Sequence, residues 1–193
     1  MLENLNKYHI VLASASPRRR ELLARLGINF EVELRPVVED FPPGLPGKNV
    51  AVLLSRMKAD AFEKDFFTNN TLLITADTVV CLEDEILGKP AEREEGIHIL
   101  QKLSAKKHSV ISAVNIRTRN KETNFSVCTD VYFKKLRMEE IIYYIDHFKP
   151  YDKAGAYGIQ EWIGYVGIER IEGSFYNVMG LPVLKLYEEL LKF

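Results

Sequence analysis

The feature that most constrains the fold lies near the start of the chain, where a short apolar run, His9–Ala13 (HIVLA), stops at Ser-Ala-Ser-Pro and passes into a leucine-striped segment. Ser16 suits a helix N-cap and Pro17 the first helical position, Leu22, Leu23 and Leu26 form one stripe, and Gly27 closes the helix. A buried strand feeding a helix through so short a turn is the opening of an α/β arrangement. The alternation continues. Phe30, Val32 and Leu34 alternate with polar residues as a strand, and residues 36–47 form a long Pro/Gly-rich loop. Val50, Leu53, Leu54, Met57 and Ala61 then recur at helical spacing over 49–62. Residues 71–76 form an apolar strand with Asp77 at its carboxyl end, and 78–82 with 86–88 read as hairpin arms around Glu83-Asp84-Glu85. Residues 91–103 read as a helix with Leu100 and Leu103 inward and His98 on the opposite face. Two long β-like segments, 108–117 and 123–136, suggest an antiparallel hairpin, followed by a helix at 138–147, a strand near 165–171 and a helix at 181–191.

The chain of 193 residues is 47% hydrophobic and 27% charged, values that argue against a disordered chain or a coiled coil and for one domain spanning 1–193. A net charge of −1 gives no overall field toward nucleic acid or an anionic membrane, so neither is expected as a partner. No stretch approaches the roughly 18 consecutive apolar residues of a membrane span, and the first ten residues do not read as a signal peptide. The expected compartment is the cytoplasm. Cys81 and Cys128 lack any metal-ligand or disulfide spacing and are expected to be reduced core thiols.

Three segments carry candidate chemistry. Ser14-Ala15-Ser16-Pro17-Arg18-Arg19-Arg20 puts three cations in the first turn of a helix whose dipole is already positive there, an arrangement that a phosphate-rich ligand would explain and that reads equally as a solvated basic helix start. Arg19 shares the face of Leu22, Leu23 and Leu26, which directs it toward the body of the protein. Asp77, followed by Thr78, is placed to be a base, a metal ligand or simply a cap of the next turn. Lys89 in Gly88-Lys89-Pro90 and Lys58 beside an apolar stripe are cations with the same two readings, catalytic or merely solvated. Residues 151–160 combine small residues, aromatics and Gln160, a loop that lets backbone approach a planar ligand while a carboxamide reads its edge, or a tight structural turn. Pro46-Gly47-Lys48-Asn49 lacks the glycine spacing and the Ser/Thr of a phosphate loop, and no HExxH, GxSxG or GxGxxG occurs.

Taken in order, LASASPRRRELLARLG at 12–27, Glu39, Lys58 within MKADA, ADTVV at 76–80, LGKP at 87–90, LSAKKHSV at 103–110, DKAGAYGIQ at 152–160 and GSFYNVMGLPV at 173–183 resemble the Maf family of nucleoside triphosphate pyrophosphatases, once described as septum formation inhibitors. The resemblance runs nearly end to end. It implies a two-lobed, inosine-triphosphatase-like α/β fold with a long mixed β-sheet flanked by helices and a central cleft. It also implies hydrolysis of a nucleoside triphosphate to the monophosphate and pyrophosphate with a divalent cation, Mg²⁺ or Mn²⁺. The DKAGAYGIQ segment resembles the branch acting on dTTP and UTP, modified pyrimidine triphosphates included, whereas the 7-methyl-GTP branch carries a CAGSF-type segment. By resemblance Asp77 is the proton acceptor, Lys58 and Lys89 offset developing charge, and Ser14, Arg18 and Arg19 hold phosphates. Thr78 and Gln160 join Arg18 in substrate choice, and Glu39 with Asp77 holds the metal. Three positions depart from the family pattern: Lys149 stands where many relatives have an acid, Glu161 where they have glycine after Gln160, and Ala105 where they have glycine after Leu-Ser. The alternatives are a 7-methyl-GTP pyrophosphatase and a non-catalytic nucleotide-binding regulator of septum formation, and a homodimer is left open.

Overall fold

A computed structural model describes residues 2–193. The first strand, β1 (His9–Ala13), is buried at every position after His9 and leads into α1 (Pro17–Ala24). Ser16 caps that helix, its hydroxyl accepting from the Arg19 N–H at 3.5 Å, while Leu22 and Leu23 carry the buried stripe. Gly27 follows with φ +72°, the left-handed conformation that releases the chain from the helix. Next come β2 (Glu31–Val32) and α2 (Gly47–Asp60). Then β3 (Thr71–Leu82) and β4 (Glu85–Leu87) form a hairpin, with Val80 opposite Leu87 and Glu83 turning at φ 55°. The rest is α3 (Arg93–Leu103), β5 (Lys107–Arg117), β6 (Glu122–Phe133), α4 (Met138–Phe148), α5 (Trp162–Gly167), β7 (Ile168–Glu172), α6 (Phe175–Val178) and α7 (Val183–Leu190).

Seven strands make one mixed sheet in the order β2-β1-β3-β5-β6-β7, with β4 paired to β3. β1 runs parallel to β2 and to β3, from His9 opposite Thr71 to Ala13 opposite Thr75, whereas β6 and β7 are antiparallel. The mixed α/β class expected from the sequence is therefore the one observed. Contacts divide the chain into two compact units, one of residues up to 77, 112–127 and 180–193, the other of 78–111 and 128–179. The first has Val11, Ala13, Ala59, Phe62, Phe67 and Leu73 in its core. The second is centred on Leu100, Leu103, Phe133, Tyr144, Ile145 and Ile163. No helix among the described residues is long and apolar enough to cross a membrane.

Four local expectations are corrected. Asp77 does not end a strand, because residues 71–82 form one continuous twelve-residue element and a single polar residue between two β-competent runs does not break it. What ends is the parallel ladder with β1, at Thr75. The 30–34 strand shrinks to two residues at the sheet edge, where Val32 and Leu34 are exposed and alternation has no core to serve. The strand expected near 165–171 begins only at Ile168, because residues 162–167 are helical although Trp162, Ile163, Tyr165 and Val166 favour strands. Burial of Ile163 and Gly167 decides the matter, and Gly164 fits because any Cβ there would collide with the Ile159 carbonyl. Cys128 is exposed; only Cys81 is a buried thiol.

His108 is almost fully buried, its Nε2 2.8 Å from the Tyr157 hydroxyl and its ring edge-on to Phe133 and Tyr157. Burial lowers its pKa to about 4. An unfolded imidazole titrates near 6.5, so between these values the unfolded chain takes the proton first. The contribution of neutral His108 is whole above pH 6.5 and drains away as pH falls toward 4, at up to about 1.4 kcal/mol per pH unit. The urea midpoint should fall across that window, and His108→Gln should flatten the fall; an unchanged slope in the variant would remove His108 as its source. Ala105, exposed at φ 58°, adopts a backbone that costs an L-residue on the order of 1 kcal/mol. Ala105→Gly should therefore raise stability by about 0.5 kcal/mol after the added unfolded-state entropy, and a lower thermal midpoint would contradict this strain.

Candidate active site

In the first unit, Asp77 stands two residues beyond the end of the parallel β1–β3 ladder, the position where open α/β sheets present ligand-binding groups. It is 7% exposed, and its Oδ1 is ion-paired with Lys58 Nζ. Lys58 lies in the last turn of α2, where the helix dipole favours a cation. The same ammonium meets Glu39 Oε1 at 2.8 Å. One turn earlier on α2, the Ser55 carbonyl accepts the Thr75 hydroxyl at 2.5 Å, which holds helix and strand in register beside the ion pair. Two carboxylates therefore converge on one ammonium: loss of the ammonium would leave the nearly buried Asp77 carboxylate without its countercharge, whereas loss of either carboxylate leaves a one-to-one pair.

The Ser14-to-Arg20 segment lies in the same unit, Ser14 following directly on β1. The Ser14 hydroxyl, in a buried residue, accepts from the Ser16 N–H at 3.3 Å and from Arg19 Nη1 at 3.4 Å. Arg19 turns inward as its place on the leucine face implied. Its Nη1 donates to the Ala76 carbonyl at 2.9 Å and its Nε to the Gly180 carbonyl at 2.8 Å. Burial lowers the Arg19 pKa, with the nearby Asp77 charge acting the other way. Arg18 is half-buried on the first turn of α1. The sequence reading did not single out Gly180. The available signal was a glycine just before Leu181-Pro182 in the GSFYNVMGLPV segment, and its φ of +113° in the structure is one that favours glycine.

Thr78, Lys89 and Gln160 belong to the second unit. Thr78 is half-buried on β3, and Lys89 is exposed just past β4. The Lys89 loop is tied to the 152–160 segment by Gly155 N–H donating to the Gly88 carbonyl at 3.0 Å. Gly155, at φ +70°, lies against Val80, where a Cβ would come within 3.0 Å of the valine methyls. Gln160 lines a groove of about 320 Å³ with Ile159, Tyr165, Ile168, Ile171 and Phe175. Glu169 and Arg170 also line it, and the buried Oε1 of Gln160 has no hydrogen-bond partner among the described residues. Tyr144, Lys153 and Glu161, which bond around this loop, were not assigned a role from sequence, although Glu161 stood out there as a charge after Gln160.

Comparison with known proteins adds three findings. Residues 9–193 match the family described as Maf-like protein. Relatives named dTTP/UTP pyrophosphatase come from Porphyromonas gingivalis, 54% identical over all of this chain and 98% of the relative, and from Parabacteroides distasonis, 55% identical over the full length of both. Another of that name, from Bacteroides thetaiotaomicron, is 50% identical over the full length of both. The structure of a HAM1 protein from Coxiella burnetii shares the fold at a TM-score of 0.52 and 14% identity, covering 96% of this chain and all of that one.

Arg19→Ala would leave the Ala76 and Gly180 carbonyls without the donors they now have. A cost of about 1–3 kcal/mol in unfolding free energy is expected, read by urea denaturation. A variant as stable as the parent would mean that these bonds do not hold the segment in place.

Proposed function

The chain belongs to the family of Maf-like proteins, and on that premise we propose that it hydrolyses dTTP and UTP to the nucleoside monophosphate and pyrophosphate. The observation that carries this reading is the Lys58–Asp77–Glu39 cluster in a chain about half identical, end to end, with relatives of that name.

Cleavage of an α–β phosphoanhydride needs a water that loses a proton, charge neutralisation on several oxygens and a stable leaving pyrophosphate. Asp77 serves as the proton acceptor, its carboxylate oriented by Lys58. The Lys58 ammonium also supplies positive charge where negative charge develops, and Lys89 adds a second, exposed cation. Arg18, Arg19 and the Ser14 turn at the start of α1 hold phosphate oxygens through guanidinium and backbone donors. Thr78 and Gln160 bear on the choice of base, Gln160 through a carboxamide whose buried oxygen has no partner within the described residues.

Among the described residues no three His, Cys, Asp or Glu side chains gather as a metal cage. Glu39 and Asp77 nevertheless converge on one point, and two carboxylates completed by substrate phosphates are a usual Mg²⁺ donor set. These two residues would hold a Mg²⁺ or Mn²⁺ ion, whose chemistry is to neutralise phosphate charge. The expected setting is the cytoplasmic nucleotide pool.

Asp77→Asn keeps the size of the side chain and removes the base. It should lower kcat at least about 100-fold while the far-UV spectrum and thermal midpoint stay close to wild type. Wild-type-like turnover in the folded variant would overturn the assignment of the base. Release of orthophosphate and a diphosphate from UTP, in place of pyrophosphate and UMP, would overturn the bond assignment.

A further inference from the structure

We infer that Glu161, acting through Tyr144 and Lys153, is a positioning residue that fixes the backbone on both sides of Gln160 and so sets the discrimination between bases; this rests on the reading that Gln160 meets the base. Glu161 immediately follows Gln160, and its carboxylate receives two donors from within the second unit. The Tyr144 hydroxyl donates to Oε2, and Lys153 Nζ lies 3.1 Å from Oε1. Tyr144, fully buried on α4, in turn accepts the Gly158 N–H at 2.9 Å. Lys153 is 8% exposed and also reaches Asp152 at 2.7 Å.

The direction of this relay is fixed. Burial and the Glu161 carboxylate both hold the Tyr144 phenol well above its ordinary pKa, so it stays protonated. Its single proton goes to Glu161 and its lone pair is left for Gly158. The backbone is therefore clamped on both sides of Gln160, at Gly158 through the tyrosine and at Glu161 directly. Glu161 N–H donates to the Gly158 carbonyl at 3.0 Å, and its own carbonyl accepts from Gly164 at 2.8 Å, which leads into α5. Gly158 leaves room for the carboxylate, since a Cβ there would lie 2.8 Å from its carbon. The Gln160 side chain takes no part in the relay, and its buried Oε1 has no partner among the described residues.

A carboxamide has an acceptor end and a donor end, and one free to rotate meets a uracil edge and a cytosine edge about equally well. Discrimination is sharper when the carboxamide is presented from one fixed place, because the wrong base then leaves a buried polar group unpaired. The ion pair and the charge-assisted hydrogen bond fix the backbone at Gly158 and Glu161, and so the place from which the Gln160 side chain extends.

The experiment measures kcat/KM for UTP and CTP on wild type, Gln160→Ala, Glu161→Gln, Tyr144→Phe and the double variant Gln160→Ala/Tyr144→Phe, each with its thermal midpoint. Glu161→Gln and Tyr144→Phe should each lower the UTP-to-CTP ratio by roughly 5- to 30-fold, mainly through KM for UTP, as expected for a weakened buried polar contact. Adding Tyr144→Phe to Gln160→Ala should change the ratio no further. If Gln160→Ala collapses the ratio while the other two variants only lower the midpoint, the network is structural and the inference falls. If Gln160→Ala leaves the ratio unchanged, the base reading itself fails and takes the inference with it. Should Glu161→Gln not fold, Tyr144→Phe, which retains the ring and the Lys153–Glu161 pair, decides alone.

Discussion

The pairing of Lys58 with Asp77 is the interaction around which the first unit's candidate site is built. A carboxylate so nearly excluded from water needs a countercharge, and α2 delivers one at the end where its dipole tolerates it. The Thr75–Ser55 hydrogen bond and the packing of Ala59 against Val11 and Leu73 keep helix and strand in the register that the pair requires. Glu39 arrives from the long Pro/Gly-rich loop and shares the ammonium, so a segment without regular structure is tied to the same point. β3 itself passes unbroken beyond Asp77 into the hairpin with β4, and the last pairing with β1 lies two residues before the carboxylate.

Arginines at the start of α1 pose an electrostatic problem that the structure answers in part with backbone. Positive side chains next to a positive helix end repel unless oxygen surrounds them. Arg19 meets carbonyls from Ala76 and Gly180, and Arg20 reaches the Ser14 carbonyl at 3.3 Å. Each contact also fixes a backbone segment next to the cluster: the residue before Asp77, the turn after β1, and the glycine that precedes α7. Arg19 alone thereby ties the start of α1 to two stretches far from it in the chain.

The second unit solves a different problem, that of holding a glycine-rich loop still. Gly155 and Gly158 permit close approach to Val80 and to the Glu161 carboxylate, and that freedom would otherwise cost order. Buried polar partners restore it: the Gly88 carbonyl for Gly155, the Tyr144 hydroxyl for Gly158, and Lys153 for Glu161. The aromatic and aliphatic core beneath, with Tyr144 and Ile163 among its fully buried members, supplies the rigid base for these bonds.

Local chemistry was enough for much of this. The Ser16 cap with Pro17 after it, the Leu22–Leu23 stripe, the helices starting at Met138 and ending at Leu103, and the α/β alternation follow from propensity, capping and periodicity over a few residues. The resemblance to the Maf family marked Asp77, Lys58 and the arginine turn as a set, which each segment read by itself had left open. What local chemistry could not decide were the choices made by distant partners. Whether residues 162–167 became helix or strand was settled by burial of Ile163 and Gly167; whether Val32 and Leu34 were covered, by the absence of a longer partner strand at the edge. The pairing of Lys58 with both Asp77 and Glu39, the capture of Arg19 by Gly180 across 161 residues, and the Tyr144–Glu161–Lys153 relay have no signature in any window of sequence. Propensity acts through neighbours along the chain, whereas charge pairing and burial act through neighbours in space, and only the folded chain brings those together.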